Sequence, residues 1–238
     1  MTTPNIEILQ ALEAGNSVAE FDIGLRQYFL RTQIFTDFVS DKYDIVKGDK
    51  GSGKSAIFRL AKDGNVDDIF RQELSVISGF NETGTPIFRR ISEGGESTER
   101  ALQTLWKMYI FAVTANYVAD KFSPNLQKFP TELKTALVDN NLREPISKIE
   151  KLFSTAKKVV SGGDLNFNLG GSNVNFSLKF GSAKYSELED VIESLLEKLD
   201  DFLDTHKHRC WMAFDPLDEA FADNRELERI ALTNPTHK

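Results

Sequence analysis

Eight consecutive residues, Gly48-Asp49-Lys50-Gly51-Ser52-Gly53-Lys54-Ser55, combine what is needed to hold a run of phosphates. Glycines let a backbone wrap with its N–H groups turned inward, a lysine adds a mobile cation, and a hydroxyl beside it ligates the magnesium that travels with a polyphosphate. The spacing is G-x-x-x-x-G-K-S, a complete Walker A pattern. It assigns Lys54 to the β- and γ-phosphates, Ser55 to magnesium, and the stretch Gly48 to Gly53 to the cradle. Lys50 occupies a variable position of the pattern, where a solvated role and a phosphate contact are both open.

The second group is Trp211-Met212-Ala213-Phe214-Asp215-Pro216-Leu217-Asp218-Glu219. A carboxylate at the end of a buried strand is held at the carboxyl edge of a sheet, where a magnesium bridging nucleotide phosphates sits. Asp215 is therefore the expected magnesium-side residue, acting directly or through a water. Asp218 and Glu219 follow three and four positions later, and either would orient or polarise an attacking water, with Glu219 favoured.

Positioning these groups needs elements on both sides of each. Tyr43-Asp44-Ile45-Val46 reads as a short strand feeding the glycine-rich loop, and a helix is expected from Lys54 until Gly64 stops it. Asp22 to Val39 reads as one helical run before it, and Asn5 to Ala14 as a short first helix. Leu74–Ser78 is a second expected strand. The longest helical pattern, about Ser97 to Lys121, carries a broad apolar face and is expected in the core. Further helices are expected over Thr131–Asn140, Glu144–Val160 and Ser186–Asp204. Between Gly162 and Gly181 the apolar period changes to two, with Leu165 and Phe167 before Gly170-Gly171 and Val174, Phe176 and Leu178 after it, which predicts a hairpin. Its apolar face either covers the core or meets a partner. Cys210–Phe214 is the strand that delivers Asp215.

Composition narrows the classes. The 238 residues are 40% hydrophobic and 27% charged, enough apolar material for a sizeable core, and the formal charge of −7 offers nucleic acid no broad attractive field. Direct nucleic-acid binding would need a local basic patch. One cysteine, Cys210, excludes an internal disulfide and a cysteine-rich zinc site, and His206 and His208 are expected in structural or solvated roles. The opening MTTPNIEIL is neither basic nor followed by a long apolar run, which predicts a cytoplasmic protein without a membrane span.

With YDIVKGDKGSGKSAIF at 43–58, FDPLDEAF at 214–221 and Glu226-Leu227-Glu228, the chain resembles bacterial P-loop ATPases related to the STAND and KAP classes. The order of these segments and the buried character of the strands predict a three-layer α/β core with a parallel sheet near 43–47, 74–78 and 210–214, a helical insertion and the hairpin, in keeping with that resemblance. Residues 1–95 would hold the Walker A half, 96–205 the insertion, and 206–238 the Walker B strand and tail. The resemblance implies ATP and Mg²⁺ as ligand and cofactor, hydrolysis of the β–γ anhydride coupled to assembly or partner switching, and a homo-oligomer or protein partner. Several members of that assemblage serve in antiviral defence, against phage. Pro216 departs from the small or basic residue expected there. A nucleotide-binding scaffold without efficient turnover is the alternative. Asp215 lies 23 residues from the last residue, and Asn224 to Ala231 reads as a helix followed by Pro235, so no later core strand is expected and the chain is not expected to be a fully competent ATPase by itself.

Overall fold

The structure, a computed structural model, describes Ala19 and residues 22–43, 45–49, 51–62, 74–79, 99–123, 127–143, 164–169, 175–179 and 185–214. The expected helices at 5–14, 144–160 and 224–231 lie outside these. The chain divides into two compact units, residues 1–76 and 77–238. The described elements are α1 (Leu25–Tyr28), α2 (Gln33–Val39), α3 (Lys54–Lys62), β1 (Leu74–Ser78), α4 (Glu99–Phe122), α5 (Lys128–Asp139), β2 (Asp164–Asn168), β3 (Asn175–Lys179), α6 (Tyr185–Thr205) and β4 (Arg209–Ala213). This is a mixed α/β architecture in which β1 and β4 form a small two-stranded parallel sheet.

In the first unit the helical run expected over 22–39 is two helices. Phe29 leaves α1 in extended backbone, and Thr32 starts α2 as its N-cap, its Oγ1 accepting from the Phe35 N–H at 3.2 Å. A β-region threonine that satisfies a first-turn amide favours a fresh helix over a continuous one. Phe29 and Phe35 still meet edge-on at 5.1 Å. Along α3 the buried residues are Ala56, Ile57, Leu60 and Ala61, which share one helical face.

Among the described residues the strand expected at 43–47 is not formed. Residues 45–49 carry no regular structure, and Tyr43 and Ile45 are 57% and 80% exposed. A parallel strand is held by burial on both faces, and Tyr43 and Ile45, lying between Lys42 and Lys47, do not obtain that burial here. With it goes the three-strand parallel sheet of the expectation among the described residues.

The second unit is built on α4. Leu105, Met108, Phe111, Ala115, Val118, Ala119 and Phe122 line it with buried apolar groups, joined by Leu133, Ala136 and Leu137 of α5 and Leu188, Ile192, Leu195 and Leu199 of α6. Helix α4 is the core helix its pattern predicts. The hairpin is antiparallel, pairing Leu165 with Leu178 and Phe167 with Phe176. Phe167 is buried and meets Phe111 edge-on at 5.5 Å, so this residue of the hairpin covers the core.

Polar groups fasten the helices to one another. Lys107 bridges Glu189 at 2.6 Å and Glu193 of α6. Asn116 donates to the Leu142 carbonyl at 2.9 Å while Arg143 donates to its Oδ1 at 2.7 Å, tying the exit of α5 to α4. Helices α2, α5 and α6 end alike: Asp41, Asn141 and Lys207 take positive φ of 62°, 56° and 52°, and the next residue's N–H reaches back five positions to Asp37, Leu137 and Leu203. That is the Schellman stop, which satisfies late carbonyls of a helix and turns the chain. At Lys207 it turns α6 into β4. His208 is buried there, its ring 5.5 Å from that of Phe122. Among the described residues no helix is long and apolar enough to cross a membrane.

Candidate functional site

The glycine-rich loop runs from Gly48 into α3. Gly51 and Gly53 both take φ of +86°, a conformation L side chains rarely adopt, and a Cβ on either would meet no atom within 4 Å. Backbone conformation, not crowding, requires glycine at these two positions. At Gly48 the reverse holds, since an added Cβ would come 2.5 Å from the Ser52 Oγ and 3.2 Å from its Cβ. The neck of the loop closes there, and the Ser52 N–H donates to the Asp49 carbonyl at 3.1 Å across the turn.

Helix α3 then begins as the sequence predicts. The Gly53 carbonyl accepts the N–H of Ile57 at 3.1 Å, so the amides of Lys54, Ser55 and Ala56 precede the helical ladder and mark the positive end of the helix. Lys54 folds back over the loop it follows. Its Nζ donates to the carbonyls of Gly48 at 2.7 Å and Asp49 at 3.0 Å, holding the ammonium at the neck. Gly48, Asp49, Gly51, Ser52 and Gly53 are exposed, while Lys54 and Ser55 are half-buried. A further tether comes from Arg59 of α3, which donates to the Ala19 carbonyl.

These residues fit a polyphosphate. The two left-handed glycines leave open space where a Cβ would stand, a helix start lies beside them, and a cation is held over the neck by two hydrogen bonds to backbone carbonyls. Of the two residues expected beside magnesium, Ser55 lies among the described residues. Among the described residues no group of three or more His, Cys, Asp or Glu is placed to hold a metal ion. Magnesium bound with a nucleotide needs no such cage, because phosphates and water supply most of its six ligands and the protein one or two. Lys50, Asp215, Asp218 and Glu219 lie outside the described residues. The Gly48–Ser55 loop is in the first unit.

The second unit, taken by itself, holds the end of β4, the strand that precedes Asp215 in the sequence. Phe214 packs edge-on against Trp106 at 5.7 Å, and Gly79, just after β1, donates its N–H to the Ala213 carbonyl at 2.7 Å. Sequence reasoning did not single out Gly79 or Tyr109, whose hydroxyl donates to the Gly79 carbonyl. A lone glycine after a strand was the available signal; the aromatic that meets it comes from thirty residues away. Burial pushes the Tyr109 phenol well above its ordinary pKa. Cys210, earlier on the same strand, is pushed up to about 12 by burial, against a smaller opposing pull from Lys121. That environment disfavours the thiolate, the form in which a cysteine acts as a nucleophile.

Comparison of the chain with protein-family models, with curated proteins and with solved structures gives no match.

Proposed function

We propose that this chain is an ATP-binding module of the P-loop kind, in which the 48–55 loop holds the phosphates of Mg-ATP and the protein hydrolyses the β–γ anhydride to switch its assembly or a partner. What supports the reading above all is one observation. The G-x-x-x-x-G-K-S segment adopts a loop with two left-handed glycines running into a helix start, with Lys54 folded over the neck.

In this reading the backbone amides at the start of α3 and the Lys54 ammonium offset phosphate charge. Magnesium, when bound, neutralises charge on the β- and γ-phosphates; Ser55 and Asp215 are the residues offered to it. Glu219, or Asp218 in its place, holds the water that attacks the γ-phosphorus and takes its proton.

Calorimetric titration of ATP and GTP, with and without Mg²⁺, tests the loop. Lys54→Ala is expected to weaken Mg-ATP binding by roughly tenfold to a hundredfold, the worth of charge-assisted hydrogen bonds to a phosphate. Unchanged affinity would defeat the assignment. Phosphate release measured on the Glu219→Gln chain tests turnover separately: hydrolysis should fall while binding stays, and full turnover would move the water-holding role to Asp218. Binding without release in the unaltered chain favours the scaffold alternative.

A further inference from the structure

Helix α3 carries the glycine-rich loop at its start, and two things of different kind hold it in place. One is apolar: Ala56, Ile57, Leu60 and Ala61 are buried. Apolar burial is non-directional, so by itself it leaves a helix some freedom to turn about its axis or slide along it. The other is a hydrogen bond, which fixes both distance and direction. The half-buried guanidinium of Arg59 donates through Nη1 to the Ala19 carbonyl, 40 residues earlier in the same unit.

The acceptor is itself fixed. The Ala19 carbonyl also receives the Asp22 N–H at 3.2 Å. Asp22 is only 5% exposed and ties this stretch to α1, its Oδ1 accepting the Gly24 N–H at 3.1 Å and its carbonyl the Leu25 N–H at 3.3 Å. Leu25, the first residue of α1, is buried in turn. Arg59 therefore grips a carbonyl that cannot follow α3 if the helix moves. It stands five positions after Lys54, about 7.5 Å along the helix axis. The hydrogen-bonded turns between them make that stretch a rigid rod, so a rotation at Arg59 reaches the amides of Lys54, Ser55 and Ala56 nearly whole.

We propose that Arg59 is a positioning residue for the phosphate loop: by holding α3 to the Ala19 carbonyl, it sets where the first amides of the helix point. The inference rests on the reading of the 48–55 loop as a phosphate site, and it adds a residue outside the glycine-lysine pattern. Arg59 acts through the helix, its guanidinium turned to Ala19 and not to the nucleotide.

The test is Mg-ATP affinity of the full chain by calorimetry, at a temperature well below every variant's unfolding midpoint. Arg59→Met keeps the aliphatic stem and removes the donor. Its affinity is expected to fall about fivefold or more, since displacing positioned groups by ~1 Å is at least that costly. Arg59→Lys keeps a donor on a stem of similar reach and should stay within about twofold of the parent. A merely structural role would lower the midpoint of Arg59→Met and leave the affinity of the folded protein unmoved, which would overturn the inference. Repeating the titrations in 1 M salt, where the screening length is about 3 Å, separates positioning from distant charge. The ratio between parent and Arg59→Met should persist there; a ratio that closes would show Arg59 acting as a charge alone and overturn its positioning role. Should Arg59→Met fail to fold, Arg59→Gln decides, its amide being too short to reach Ala19 and the same loss being expected. ATP affinity unmoved by Lys54→Ala would overturn the phosphate-loop reading and this inference with it. A strong Lys54→Ala effect beside parental affinity in the folded Arg59 variant would overturn this inference alone.

Discussion

The two units keep their apolar side chains differently. In the second, three helices and a hairpin bury Phe111, Phe167, Leu133 and Leu188 almost completely. In the first, Ile23, Tyr28, Leu30, Ile34, Tyr43 and Ile45 are all more than half exposed, while among the described residues of the second unit Val138 is the large apolar side chain left so open. The glycine-rich 48–55 loop belongs to the unit whose described apolar residues are the more exposed. Its shape rests on two glycine conformations, a turn and two lysine hydrogen bonds, not on packing. A loop of that kind gives up little packing when it rearranges around a ligand, whereas the packed unit resists any change of volume.

The contrast can be broken or sharpened by experiment. Phe111→Ala opens a cavity between α4 and the hairpin and is expected to cost about 4 kcal/mol by chemical denaturation, while ATP affinity of the remaining folded protein stays as it was. Lys54→Ala should do the opposite, with about 2 kcal/mol lost in Mg-ATP binding, roughly thirtyfold, and an unfolding midpoint close to the parent's. If the core variant loses binding at conditions where it is folded, the separation of roles fails.

Lys107→Met deprives Glu189 and Glu193 of their shared cation while keeping the aliphatic stem. Burial works to lower the Lys107 pKa, but hydrogen bonds to Glu189 and Glu193 outweigh it and hold the group above its ordinary value. Loss of about 1.5 kcal/mol is expected, read from urea denaturation at pH 7. No change there would show that the α4–α6 contact is held by apolar packing alone.

The smallest effect is the alkaline one. The folded Cys210 thiol is pushed up to about 12 from an ordinary 9.0, and Tyr109 and Lys107 are also raised. In each case the unfolded chain loses its proton first, so stability falls as pH climbs above the unfolded value. The slope is about 1.4 kcal/mol per pH unit for each such group until its folded pKa is reached. Cys210 alone should thus lower stability by about 1 kcal/mol between pH 9 and 10. Guanidine titrations across that interval check it, and a Cys210→Ala chain should show a shallower fall.

Much of this molecule is written locally. The helix start at Lys54 follows from glycines that cannot continue a strand, and β1 appears at Leu74–Ser78 as expected. The hairpin pairing follows the two-residue apolar period on either side of Gly170-Gly171. Asn141 and Asp41 at helix ends are types that tolerate the left-handed region, so those stops were readable in kind. Lys207 was not, because a lysine there gains from tertiary placement what it lacks in propensity.

What sequence by itself determined is therefore periodicity, the glycine positions of the loop and most boundaries of the described elements, all of which depend on neighbours within a few residues. Tertiary structure decided the rest. It broke the run at 22–39 where Thr32 caps a new helix, and it left Ile45 in water where a strand was expected. It placed Lys107 between glutamates 82 and 86 residues away and laid Phe214 on Gly79 beneath Trp106 and Tyr109. Whether an apolar run becomes a strand depends on partners that bury it, and which glycine admits an aromatic ring depends on elements distant in the chain. Neither is a property of the run or of the glycine itself.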